Sequence, residues 1–279
     1  VDVPGDEGDS GSVICGAELP GVVGAFEPPT TKDFVWACWG GSVRILGIPF
    51  CMNFIFSLLL LTSIAFVVLF WAAFRKPQIV PGKLQALMEM GIEFVREQIV
   101  IPMMGHEGDR FLPLLATLFF FIFLGNMLEV TPGINFTQNS RIAFPISMAI
   151  VSWVTYNVVG IRKHGFIGYL KLVVLPPGAP WWLRPLLAVI EFFTTIIIRP
   201  ITLSLRLAAN FLAGHFLLAV AFLGTIALLQ SGWLAALSPL TFAMSVVLVA
   251  FEIFVAVLQA FIFSILTSSY IGGALADEH

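Results

Sequence analysis

"RPITLSLRLAANFLAGH", residues 199–215, sets two arginines, an asparagine and a histidine among Leu, Ile, Ala and Phe. The run around it stays apolar from Trp182 to about Gln230, and a second such run extends from about Leu234 to Ile271. Each reads as a helix of nearly 40 residues or more. At 1.5 Å per residue such helices are roughly 60 Å long, against a hydrocarbon core of about 30 Å. They must incline far beyond the usual ~20° or bend. Pro200, which removes a backbone hydrogen bond, is the expected bend point. Joined at Gln230-Ser231-Gly232, the two runs make a hairpin in the membrane.

The rest of the 279-residue chain agrees, with 58% hydrophobic and only 11% charged residues. A soluble domain carries about a quarter charged residues. Apolar runs also cover 49–74, 111–131 and 142–161, whereas 82–104 mixes Lys83, Glu89, Glu93, Arg96 and Glu97 with apolar positions at helical period. Leu84, Leu87, Met88, Gly91, Ile92 and Val95 predict one apolar face and a helix lying on the membrane surface. The fold class is therefore an all-α membrane protein: five embedded helices (49–74, 111–131, 142–161, 182–229, 234–272) plus the amphipathic 82–104 helix, with the last two embedded helices long and steeply tilted. Residues 1–47 form a polar, Gly/Pro-rich tail ahead of a membrane domain over 48–279, without the basic and apolar regions of a signal peptide.

The cations orient it. Arg75, Lys76, Lys83, Arg96, Arg110, Arg162, Lys163, Lys171 and Arg184 fall on one side, and Lys32, Arg44 and Arg141 on the other. The positive-inside rule then puts the tail outside and the C-terminus in the cytoplasm. The net charge of −3 offers no basic face for nucleic acid. No His/Cys cluster has metal-ligand spacing, so no metal or cofactor is expected. Cys15 and Cys38 share the tail and could pair if it is extracellular, but spacing does not decide it.

An arginine at mid-bilayer is costly and cannot shed its proton. Arg206, apolar on both sides, is therefore the strongest candidate for a functional charge, and Arg199 is either a snorkelling side chain or a partner of Glu191. Spacings of seven and four put Arg199, Arg206 and Asn210 on one helix face, with His215 about 180° from Arg206. Ala208, Ala209, Ala213 and Gly214 let another helix approach. On the last helix Glu252 and Gln259 share a face, and in an antiparallel hairpin His215 and Glu252 can meet. Asn126 and Glu129 make a polar group near the outer surface. Protonatable groups thus lead from outside toward a fixed cation, which is a proton path that must be interrupted. Such a path needs another component to carry the proton onward.

At these residues the chain resembles subunit a of the bacterial F-type ATP synthases, over roughly residues 45–279. "SLRLAANFLAGH" (204–215) matches the family's signature around its essential arginine, and "FEIFVAVLQAFIFSILTSSYI" (251–271) with the terminal "DEH" matches its last helix. The resemblance implies a stator proton-channel subunit in the bacterial plasma membrane, with no catalytic activity of its own. Its partners would be the oligomeric c-ring, the peripheral-stalk b subunits, the rest of the synthase, membrane lipid and protons. It implies that Arg206 faces the c-ring carboxylates and separates two half-channels, with Asn210 and Gln259 beside it. His215 and Glu252, with Glu191, Asn126 and Glu129, would line the half-channel open to the outside. Ser204, Asp277 and Glu278 would lie nearer the inner exit. The loop "TPGINFTQNSRIAFP" departs from the family in carrying Arg141. Two other classes are weighed: a secondary transporter, against which the halves show no repeat, and a non-conducting anchor.

Overall fold

The computed structural model describes residues 42–45, 48–51, 54–131, 142–174, 184–230 and 232–275. Cys15, Cys38, Arg141, Asp277 and Glu278 lie outside these residues, as does the side chain of Glu129. Five helical stretches are long and apolar enough to cross a membrane. The first begins later than the apolar run suggests. Residues Ser42–Ile45 (β1) and Ile48–Cys51 (β2) pair as a short antiparallel hairpin, and α1 spans Phe54–Phe74.

A helix apolar all round belongs in lipid or in a core, and α1 meets both conditions. One side packs on α4 (Leu112–Val130), with Phe66 edge-on to Phe121 at 5.8 Å and Phe70 edge-on to Phe120 at 5.5 Å. The opposite side exposes Leu61, Ile64, Val68 and Trp71. Exposed apolar area on this scale marks a lipid or partner surface.

The 82–104 segment is helical, as α2 (Lys83–Val95), a wide π turn (Arg96–Val100) and α3 (Ile101–Met104). Its expected single apolar face is split, however. Met88, Val95, Ile99 and Val100 are buried, while Leu84, Leu87, Met90 and Phe94 are exposed. Gly91 is the reason: a Cβ there would stand 2.5 Å from Phe120 Cζ, so the helix sits tight on α4 by that side and turns its other apolar residues outward. Past α3, Gly105 (φ 63°) starts a 3₁₀ turn over Gly105–Phe111. Asp109 in that turn accepts two 3.0 Å hydrogen bonds from the Arg96 guanidinium. The pairing holds the Asp109 carboxyl below the usual carboxylate range.

Helix α5 (Ala143–Val174) runs beyond the expected end at 161, with a break at Gly165 (φ 73°, ψ 166°). The chain after the break comes back against the same helix. Tyr169 occupies the space where a Cβ on Gly160 would lie 2.2 Å from its ring, and its hydroxyl donates to Asn157 Oδ1 at 3.1 Å.

The long run near the C-terminus divides into α6 (Arg184–Phe193), a second π turn (Thr194–Ile198) and α7 (Arg199–Leu229). Each π turn ends two residues ahead of a proline, Pro102 or Pro200. The residue before that proline, Ile101 or Arg199, donates its N–H five residues back, to the Arg96 or Thr194 carbonyl. Proline cannot donate and its ring displaces the carbonyl four residues earlier, so the turn ahead of it widens. A 3₁₀ turn (Gly232–Leu237) leads into α8 (Ser238–Leu275), which therefore starts a turn later than position 234. This 38-residue helix is the spine of the bundle, packed on α3, α4, α5 and α7. Ile99, Leu115, Phe119, Leu203, Leu207 and Phe263 meet around it. Two pairs of buried polar groups tie these interfaces, Ser152 with Thr267 at 2.9 Å and Ser268 with the Ile99 carbonyl at 3.1 Å.

Candidate functional site: two polar cavities along one helix pair

Helix α8 buries a polar line with a seven-residue repeat: Ser238, Ser245, Glu252 and Gln259. Seven residues return to nearly the same face of a helix. The two serines satisfy themselves locally, Ser245 Oγ donating to the Thr241 carbonyl and Ser238 Oγ to that of Ala235. Glu252 and Gln259 do not. They are 8% and 6% exposed, and Glu252 Oε2 and Gln259 Nε2 make no hydrogen bond among the described residues.

The Glu252 carboxyl looks into a cavity of about 200 Å³ between α4, α7 and α8, lined also by Asn126, Asn210, Gly214 and Ala256. Asn126 comes from the last turns of α4, Asn210 and Gly214 from mid-α7. Asn126 and Glu252, expected on one path, therefore share a wall, and Asn210, expected beside Arg206, lines it with them. His215 is placed differently. Its ring stacks on Phe211, with centroids 5.5 Å apart, and it is half-buried next to Gly214 of this lining.

A second cavity, of about 180 Å³, collects Glu191, Thr195 and Arg199 with Tyr156, Tyr169 and Tyr270. The Arg199 guanidinium lies over the Tyr270 ring at 4.9 Å, a cation–π contact. Tyr156 donates to the Thr195 carbonyl at 2.7 Å, inside the π turn. Glu191 is thus brought to Arg199, and separated from the Asn126 and Glu252 group it was expected to join. The π turn sets the phase between Glu191 and Arg199. Eight residues on a plain α-helix differ by about 80°, whereas a wide turn absorbs one extra residue and leaves the two nearly in line, within about 20°.

Between the cavities stands Arg206. Along α7 it is seven residues, or ~10 Å, from Arg199 and four, or ~6 Å, from Asn210. It is exposed on the outer face of α7, and among the described residues no hydrogen bond or ion pair holds it. Ala209 and Ala213 are exposed nearby, so an outside helix could come close to this face. Ser204 faces inward, its hydroxyl bonded to the Ile201 carbonyl at 2.9 Å. Among the described residues no group of His, Cys, Asp and Glu is placed to hold a metal.

The site holds residues that spacing did not reveal. All three tyrosines of the chain line the second cavity. Their scarcity in so aromatic a sequence was the available signal, but no period connects positions 156, 169 and 270.

Comparison with known proteins gives a consistent result. The profile of the ATP synthase A chain family matches residues 54–272. The chain is 43% identical over 225 residues to ATP synthase subunit a of Streptomyces lividans, covering 80% of this chain and 79% of that one. It is 40% identical over 275 residues to ATP synthase subunit a of a Nocardioides species, covering 96% and 98%. ATP synthase subunit a of a Methylobacterium species is 43% identical over 208 residues, covering 74% and 80%.

Proposed function

The chain belongs to the ATP synthase A chain family, and from that premise we propose that it is the stator through which protons load and unload a rotating ring of c subunits in a bacterial plasma membrane. It is a multi-pass membrane subunit of the synthase complex. The tail lies outside and the C-terminus in the cytoplasm, as the cation asymmetry indicates.

In this reading the cavity at Asn126, Asn210 and Glu252 belongs to the outer half-channel. It lies at the end of α4 remote from the cation-rich rim. The cavity at Glu191, Arg199 and the tyrosines belongs to the inner one, which moves Glu191 from the outer path to the inner. A proton from outside reaches Glu252, with Glu129 and His215 along the approach, and passes to a carboxylate of the ring. Neutralised, that carboxyl can turn through lipid, where its ionised form would be too costly. It releases the proton at the inner cavity, toward Ser204 and the acids Asp277 and Glu278. Arg206 attracts the newly ionised carboxylate and bars a direct hop between half-channels. Asn210 and Gln259 hold the polar surroundings of that encounter. The b subunits would take up part of the exposed apolar belt.

The observation carrying this proposal is the position of Arg206, a permanent cation outside the fold and between two polar cavities. Arg206→Ala in the assembled complex should abolish coupled ATP synthesis in inverted membrane vesicles while the subunits remain assembled. Near-normal synthesis would overturn the proposal.

A further inference from the structure

At the rim where α4 begins and α8 ends lies a third cavity, of about 520 Å³. Arg110, Arg162 and Lys163 line it against a single acid, Glu107, while Phe111, Val159 and Leu275 complete the lining. We propose that it binds the phosphate of an anionic phospholipid, with the start of the acyl chains against the apolar residues.

Position supports this. Arg110 stands two residues before α4, Arg162 and Lys163 close the stretch of α5 ahead of the Gly165 break, and Leu275 is the last residue of α8. Three apolar helices ending together mark the level where hydrocarbon gives way to headgroups. Basic pockets between helices at that level suit acidic headgroups.

The side chains support it too. Lys163 Nζ donates to the Leu275 carbonyl, which fixes the end of α8 against α5 and gives the cavity a firm wall. The Arg110 guanidinium rests 4.9 Å over the Phe111 ring, a cation at the edge of an apolar surface. Among the described residues no hydrogen bond or ion pair engages Arg110 or Arg162, so both keep their bidentate donors for a phosphate. Free phosphate would satisfy the cations but leave the apolar part uncovered. A phospholipid covers both.

The test uses the whole complex in phosphatidylcholine nanodiscs carrying a trace of photoactivatable phosphatidylglycerol or photoactivatable phosphatidylcholine. Mass spectrometry then quantifies labelled peptides containing Phe111 or Val159. The anionic probe should label these peptides roughly 25-fold more than the zwitterionic one, from the two-charge excess of the cavity. R110Q/R162Q should lose labelling about 25-fold, R110K/R162K should keep most of it, and millimolar inorganic phosphate should not compete. Equal labelling of wild type by both lipids would overturn the proposal without recourse to any variant. So would displacement of the lipid by inorganic phosphate, or labelling that appears only after Asp277 and Glu278 are neutralised, since the cavity would then belong to the chain's own acids. ATP synthesis is not the readout, so this proposal can fail while the stator reading stands.

Discussion

Filling the cavity beside Glu252 should stop proton entry. Ala256 is 4% exposed and lines that cavity, and Ala256→Leu adds three carbons to it. The space of about 200 Å³ has room on the order of six waters. Three added carbons take roughly the volume of three of them and bring apolar bulk toward the Glu252 carboxyl. Ionising a carboxyl that has lost this water costs several kcal/mol more, and at about 3 kcal/mol the rate of proton passage falls roughly a hundredfold. Ala256→Ser, which adds a hydroxyl and little volume, should keep most of the rate. The assay is passive proton flux through vesicles stripped of the soluble ATPase sector, with subunit content checked on the same membranes. A fully assembled Ala256→Leu complex conducting within twofold of wild type would show that protons do not use this cavity.

Further outcomes can be checked in the same membranes. Glu252→Gln should slow translocation while leaving assembly intact, and by less than Arg206→Ala; the reverse order in ATP-driven proton pumping would mean the two roles are wrongly ranked. Gly160→Leu should drive the chain into the Tyr169 ring, which a Cβ would approach to 2.2 Å, at a cost of about 1–3 kcal/mol. Thermal melts of the complex should recover when Tyr169→Gly is added. Tyr156→Phe removes the donor to the Thr195 carbonyl and should cost on the order of 1 kcal/mol, read from denaturation midpoints. The Arg96–Asp109 pair sets a pH dependence. Because the folded Asp109 carboxyl titrates lower than it would unfolded, its stabilisation is present above about pH 4 and disappears as pH falls through the folded value. Melting curves of wild type and Asp109→Asn should therefore converge in acid and separate at neutral pH.

Much of this architecture is visible in plain helical arithmetic. The seven- and four-residue spacings of Arg199, Arg206 and Asn210, and of Glu252 with Gln259, needed only an unbroken helix, and α7 and α8 are unbroken across them. Arithmetic failed where the turn changed width. Glu191 sits before the π turn and Arg199 after it, so a fixed 100° per residue gives about 80° between them, whereas the wide turn brings them nearly in line. Ser238 and Ser245 share the period of Glu252, yet serine tucks into helices everywhere and draws no notice. The split face of α2 depended on a contact with Phe120 that no local pattern contains. The Gly165 reversal gave a weak local sign, a lone glycine following Arg162, Lys163 and His164 at what looked like the end of a span.

The widened turn at Thr194–Ile198 also says where the gene could tolerate losing a codon. Deleting one residue there would relax the bulge to an ordinary helix and leave Glu191 and Arg199 seven apart, still in phase. The same deletion between Arg199 and Arg206 would leave them six apart, about 120° round the helix instead of about 20°. Natural length variation in this helix should therefore concentrate in that one turn.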